Sequence, residues 1–240
     1  MRFIIHEMAY EKPLTAGIWK YVRDGQATGA VEAWRLTEAA AGYRFLRVDL
    51  DARGAASGQS TLYHVTLDEN GRAVQVKYRF WASGLEIIGT VLLEEDAVLV
   101  ARETVDARDE EILAVPSGYA FWFPATAGLG LLADSAGQVM TAVTLQTATG
   151  DLARLLSPMA TRLTIDEAAP SKVTVMGKTV PSRQLTIRWR DQQRLIWVDE
   201  KGWPLRMERD DGLTAVISRQ IVYQRITGPG VDDTKQFTET

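Results

Sequence analysis

The sequence predicts a mainly β protein. Its antiparallel meander forms a strongly curved open barrel or a two-layer sheet, with one or two short helices. Three observations predict this. Residues 65–76 and 196–207 repeat one pattern, apolar–x–apolar–Asp–Glu–x–Gly–x–x–apolar–x–apolar, which is two short alternating strands around an acidic, Gly-centred turn. Turn signals recur at meander spacing, at Asp24-Gly25, Ala41-Gly42, Asn70-Gly71, Ser83-Gly84, Gly177-Lys178, Lys201-Gly202 and Asp211-Gly212. No run of helical period exceeds about three turns.

Taken in chain order, strands are expected at 15–23, 27–37, 43–51, 60–68, 72–81, 85–93 and 97–105. In the second half they are expected at 138–147, 160–166, 171–177, 183–190, 193–199, 203–210 and 213–225. The runs alternate. Val74, Val76, Tyr78 and Phe80 oppose Gln75, Lys77, Arg79 and Trp81, and Leu185, Ile187 and Trp189 oppose Thr186, Arg188 and Arg190. Period-two alternation buries one face of a sheet and leaves the other at least partly wet. One short helix is expected at 125–136, after Pro124. Another is expected at 150–156, where Asp151 favours a helix N-terminus. The polar tail after Ile226 is expected to be loose. The chain reads as one β domain, 1–240, with two halves of similar build, about 15–111 and 138–225, joined by an apolar insert at 112–137. Two hairpins with Asp-Glu-x-Gly turns look alike with or without a common origin, so a duplication stays open.

Composition narrows the functional classes. With 46% hydrophobic residues the chain has enough for a core. A net charge of −4 argues against general nucleic-acid binding, which needs a basic footprint. The absence of cysteine removes disulfides, thiolate metal sites and Cys nucleophiles. Acidic residues follow Met1 too soon for a secretory signal, and no stretch approaches the roughly 18–20 apolar residues of a membrane span. A cytoplasmic location without membrane insertion is therefore expected.

Two segments stand out as candidate sites. Residues 112–132 contain no charged side chain and crowd Tyr119, Phe121, Trp122 and Phe123 between two prolines, with Leu129 following. Connections usually run over the surface and are polar. An apolar one is either ordinary core, the lining of an apolar pocket, or a contact surface. The second candidate interleaves cations and aromatics, Tyr78, Arg79 and Trp81 on one strand and Arg188 and Arg190 on another. Its cations either hold an anionic head group or decorate a solvated outer face.

Catalytic signals are sparse. The two histidines, His6 and His64, cannot build a multi-histidine metal centre unless carboxylates complete it, and no nucleophile elbow, P-loop or dinucleotide fingerprint occurs. Glu94, Glu95 and Asp96, and the acidic run at 106–111, read as solvated turns.

The hairpin phrases Tyr63-His64-Val65-Thr66-Leu67-Asp68-Glu69-Asn70-Gly71-Arg72 and Leu195-Ile196-Trp197-Val198-Asp199, the latter with Gly202-Trp203-Pro204, set in a long meander with an apolar insert, resemble two groups. One is the open half-barrel sheets of the lipoprotein-localisation-factor group. The other is a set of bacterial glycolipid-binding-type proteins of unknown function. The resemblance is architectural and covers most of residues 15–225. It implies a sheet curled around an apolar ligand or a short helix, and no functional residue carries over from it. The expected function is non-catalytic binding of an apolar or amphipathic small molecule, lipid or glycolipid-like, without metal or cofactor. Self-association through the insert, as in a homodimer, is one alternative. A hydrolase or isomerase using His64 with a carboxylate is the other.

Overall fold

The computed structural model of the protein describes residues 2–147 and 154–223 and the backbone of 237–239. Most of the helix expected at 150–156, the last two residues of the strand expected at 213–225, and nearly all of the tail lie outside the described residues.

The first half is an unbroken antiparallel meander of β1 (Lys12–Arg23), β2 (Gln26–Glu38), β3 (Arg44–Ala52), β4 (Gln59–Leu67), β5 (Ala73–Ala82), β6 (Leu85–Leu93), β7 (Ala97–Glu103) and β8 (Arg108–Ala114). The insert follows. It holds β9 (Ala120–Phe121), the helix α1 (Thr126–Gly130) and a 3-10 turn at Ala133–Ser135. The second meander comprises β10 (Val139–Leu145), β11 (Pro158–Glu167), β12 (Ser171–Val175), β13 (Lys178–Trp189), β14 (Gln192–Val198), β15 (Pro204–Arg209) and β16 (Leu213–Tyr223). A short β17 (Phe237–Glu239) pairs with the end of β16.

The two meanders become one sheet because β16 pairs with β1 along nearly its whole length. The ladder then runs β9–β10–β11–β13–β14–β15–β16–β1–β2 and on through β8, with β9–β10 its parallel pairing. The sheet is curved, and among the described residues no ladder joins β8 back to β9 or β10. It is therefore an open sheet of the predicted class. The run at 106–111, read from sequence as a solvated turn, mostly belongs to edge strand β8. Asp109, Glu110 and Glu111 are exposed there, and charges on an unpaired edge keep other strands from adding to it.

The repeated hairpins are β4–β5 and β14–β15, and their turns share one hydrogen-bond pattern. In the first, the Asn70 and Arg72 amides donate to Asp68 Oδ1 at 3.0 and 2.8 Å. In the second, the Lys201 and Trp203 amides donate to Asp199 Oδ1 at 2.9 and 2.8 Å. Gly71 and Gly202 hold φ of 82° and 78°, the left-handed region that favours glycine. The Asp and the Gly are thus both requirements of the turn, which accounts for their recurrence.

The core lies on the concave face. Trp19 stacks there on Trp34 and Trp203, whose own rings are tilted 44° with centroids 4.4 Å apart, and the three tie the second repeated turn to β1 and β2. The insert fills the concavity. Phe123 is fully buried against Tyr63 at 4.6 Å, and Trp122 meets Trp189 edge-on at 5.4 Å. Burying such side chains contributes about 1.5–3 kcal/mol each as an upper estimate.

Close backbone approach fixes where the insert turns. A Cβ on Gly128 would lie 2.0 Å from the Phe123 carbonyl oxygen, and one on Gly130 would lie 2.7 Å from Pro204 Cδ. The Phe123 oxygen belongs to the backbone and cannot move aside as a side chain does. We therefore expect Gly128→Ala to destabilise by about 3 kcal/mol, read as a drop in the urea midpoint. An unchanged midpoint would mean that the insert can reseat.

Candidate functional site

Successive turns of a meander fall on opposite rims of its sheet. One rim carries the two Asp-Glu-x-Gly turns and the tryptophan stack. The other carries the β1–β2, β3–β4, β13–β14 and β15–β16 turns. Between these four turns lies a cleft of ≈1090 Å³, slightly above the roughly 300–1,000 Å³ typical of small-molecule sites. Its floor comes from the insert and the concave strands and mixes apolar side chains, Trp122, Phe123, Leu129, Leu145, Met159 and Trp189 among them, with buried hydroxyls such as Thr61, Thr126 and Thr144. Its lip is polar and includes Arg23, Asp24, Gln26, Gln59 and Arg190, all exposed.

The floor is held by a buried carboxylate. Glu32 alternates with Ala30 and Trp34 on the concave side of β2 and is fully buried. Its two oxygens accept the backbone amides of Thr126 and Ala127 at the start of α1, each at 2.8 Å. Tyr21 donates its hydroxyl proton to Glu32, so the Thr126 hydroxyl must be the donor in its 2.8 Å contact with Tyr21. Burial raises the Glu32 carboxyl above its ordinary range, against the lowering effect of these hydrogen bonds. Burial and the neighbouring Glu32 charge push the Tyr21 phenol well up, so it remains a proton donor. Tyr21 and Thr126 both line the cleft, which sets this polar knot at its floor.

Four of the ten residues predicted for the site line the cleft: Trp122, Phe123, Leu129 and Arg190. The others do not. Tyr119 is buried and donates to the Glu94 carbonyl at 3.0 Å, on the opposite rim. Phe121 is buried in β9. Tyr78 is fully buried, with its hydroxyl donating to the Leu156 carbonyl at 3.2 Å. Arg79, Trp81 and Arg188 lie on the convex face. There Arg79 pairs with Glu86 at 2.8 Å and stacks on Trp81, and Arg188 pairs with Asp166. For these two arginines the solvated-face alternative describes the surroundings found.

The insert aromatics Tyr119, Phe121, Trp122 and Phe123 are buried, while Ile112 at the start of the uncharged segment is exposed. His64 is buried on the convex side of β4 and does not line the cleft. Neither of its ring nitrogens has a hydrogen-bond partner among the described residues. Among those residues, no group of three or more His, Asp or Glu side chains comes together as metal ligands would, and no helix is long and apolar enough to cross a membrane.

Sequence reading missed Tyr21, Glu32, Trp189, Arg194 and Arg209. Glu32 carries a usable signal, a lone carboxylate in phase with Ala30 and Trp34 on an inward-facing row. Arg194 and Arg209 become neighbours only through the β14–β15 register, in which they stand directly opposite. Compared with family models, curated proteins and solved structures, the chain matches none, so the functional reading rests on the cleft itself.

Proposed function

We propose that the protein binds an apolar or amphipathic small molecule, lipid or glycolipid-like, in this cleft without transforming it. The observation that carries the reading is the ≈1090 Å³ cleft with aromatic and aliphatic side chains in its floor and a polar, arginine-bearing lip. Such a site buries an apolar body and leaves a polar group at the mouth. The floor is also preorganised. Trp122 is packed on Trp189, and α1 is tied to the sheet through Glu32, so little ordering is required on binding.

The test is equilibrium binding of the neutral, apolar dye Nile red, with native mass spectrometry of the purified protein for co-purified ligand. Ala30 is half-buried on β2 and lines the cleft. Ala30→Trp is expected to fill that space and to weaken dye binding at least about tenfold, with little change in melting temperature. Undiminished binding in a folded Ala30→Trp protein would place the dye elsewhere and remove the support for the cleft.

A further inference from the structure

The cleft wall carries more positive charge than its own carboxylates neutralise. Arg194 on β14 and Arg209 on β15 are directly opposite in the ladder, and both line the cleft. Like charges opposite one another on neighbouring strands are destabilising unless something compensates them. Arg194 is the more buried of the two, its side chain 12% exposed. Its guanidinium lies 5.0 Å from the Trp189 ring centroid and donates to the Gln193 carbonyl and Gln192 Oε1. Those two hydrogen bonds use only part of a five-donor group.

The nearby carboxylates are more exposed. Asp210 approaches Arg194 only to 3.6 Å and is 48% exposed. Asp211 Oδ2 is shared between Arg209 and Arg23 at 2.8 Å each, and Asp24 stands at the lip. Arg209 Nε is buried and has no hydrogen-bond partner among the described residues. Arg190, also at the lip, has no ion pair among the described residues. Burial, and then the charge of Arg209, lower the Arg194 pKa, the direction expected of a cation short of counter-charge.

We propose that Arg194 and Arg209, with Arg190 at the mouth, form an oxyanion subsite, so that the ligand of the cleft is an anionic amphiphile bearing a carboxylate or phosphate. Planar guanidiniums match both groups through paired hydrogen bonds. Arg194 lies over Trp189, which meets Trp122 edge-on, and all three line the cleft, so the subsite adjoins the apolar part of its floor. The inference rests on the amphiphile reading of the cleft and adds the chemistry of the head group.

The experiment is displacement of Nile red from the full chain by dodecanoate, dodecyl phosphate and dodecan-1-ol at equal ionic strength, with inorganic phosphate titrated separately by calorimetry. In the wild-type protein the two anions are expected to act at concentrations about tenfold below the alcohol, with this advantage shrinking as salt rises. In Arg194→Gln and Arg209→Gln the anions should fall to within about threefold of the alcohol, whose own potency stays unchanged. Equal potency of alcohol and anions in the wild type would overturn the oxyanion subsite and leave the amphiphile reading standing. Inorganic phosphate binding as tightly as dodecyl phosphate would overturn the amphiphile in favour of a free anion. If neither the dye nor any dodecyl compound binds, the amphiphile reading itself has failed. The wild-type series needs no variant, so a poorly folding arginine mutant does not block the test.

Discussion

Replacing Glu32 with alanine is expected to lower the unfolding free energy by about 4 kcal/mol and to loosen the insert before the rest of the sheet. The substitution strands three donors at once: the Thr126 and Ala127 amides and the Tyr21 hydroxyl. A buried donor left without a partner costs about 1–3 kcal/mol. Part of that loss is offset, because burial raises the Glu32 pKa and so already penalises its charge in the folded state. Glu32→Gln keeps one carbonyl acceptor but turns an NH₂ group toward the remaining donors, and about half the loss is expected. Urea unfolding measures the total. Hydrogen exchange measures the order of events, with the Thr126 and Ala127 amides exchanging before those of β4 and β5. Nile red affinity should fall with stability, because Tyr21 and Thr126 line the cleft. A Glu32→Ala protein within about 0.5 kcal/mol of the parent would show that the insert is held by its aromatics alone.

The different fates of these residues explain what could be read in advance. Strands with one dry face write their phase into the sequence, and the expected strands fall close to those observed, β6 at both its ends. Strand β8 leaves no strand signal in the sequence, because an edge strand exposed on both faces carries no alternation, only the charges that guard it. The absence of charge at 112–132 gave away the burial of the insert but not which of its faces is left open. That depends on the rim at which each turn lies. Trp122, Phe123 and Leu129 reach the four-turn rim, whereas Tyr119 is anchored at the opposite one. The cations were placed less well for the same reason. Alternation groups Arg79 with Trp81, but only the curvature of the sheet decides that their side is convex. The Arg194–Arg209 pair depends on register between strands and is invisible to any single-strand pattern.

His64 should make the protein lose stability as the pH falls from 6.5 toward 4. It stands in a cross-strand row on the convex face, Arg35 opposite Arg47, Arg47 opposite His64 and His64 opposite Lys77. The N-terminal segment covers this row and supplies its counter-charges. Glu7 pairs with Arg35 at 2.5 Å and Glu11 with the buried Arg47 at 2.7 Å. Among the described residues no ion pair or hydrogen bond comparable to these reaches the imidazole, which packs on Phe45 at 5.5 Å. Burial first, then the charge of Arg47 and, least, that of Lys77 depress the His64 pKa from 6.5 to about 4, against an opposing effect of Glu11 that is smaller than Arg47's and larger than Lys77's. Between these two values the unfolded chain binds a proton that the folded chain refuses, so stability is complete above pH 6.5 and falls as the pH drops toward 4. The loss by pH 4 is about 3 kcal/mol. Glu11 adds to acid lability only lower. Burial alone would raise its pKa, but Arg47, Thr37 and the Met8 amide hold it below its ordinary 4.5. Glu32 acts in the opposite sense, because its raised pKa costs stability as the pH climbs from 4.5 through its folded value. Between pH 7 and pH 4.5 the urea midpoint of the parent should therefore fall relative to that of His64→Phe, which keeps an aromatic ring against Phe45 and cannot take up the proton. Lys77→Met removes the weaker of the two flanking charges and should raise the His64 titration, followed by NMR, only slightly, because burial and Arg47 still hold it down. An imidazole that titrates near 6.5 in the folded parent would mean that protons reach it freely, and that the row of cations beneath the N-terminal segment is open to water.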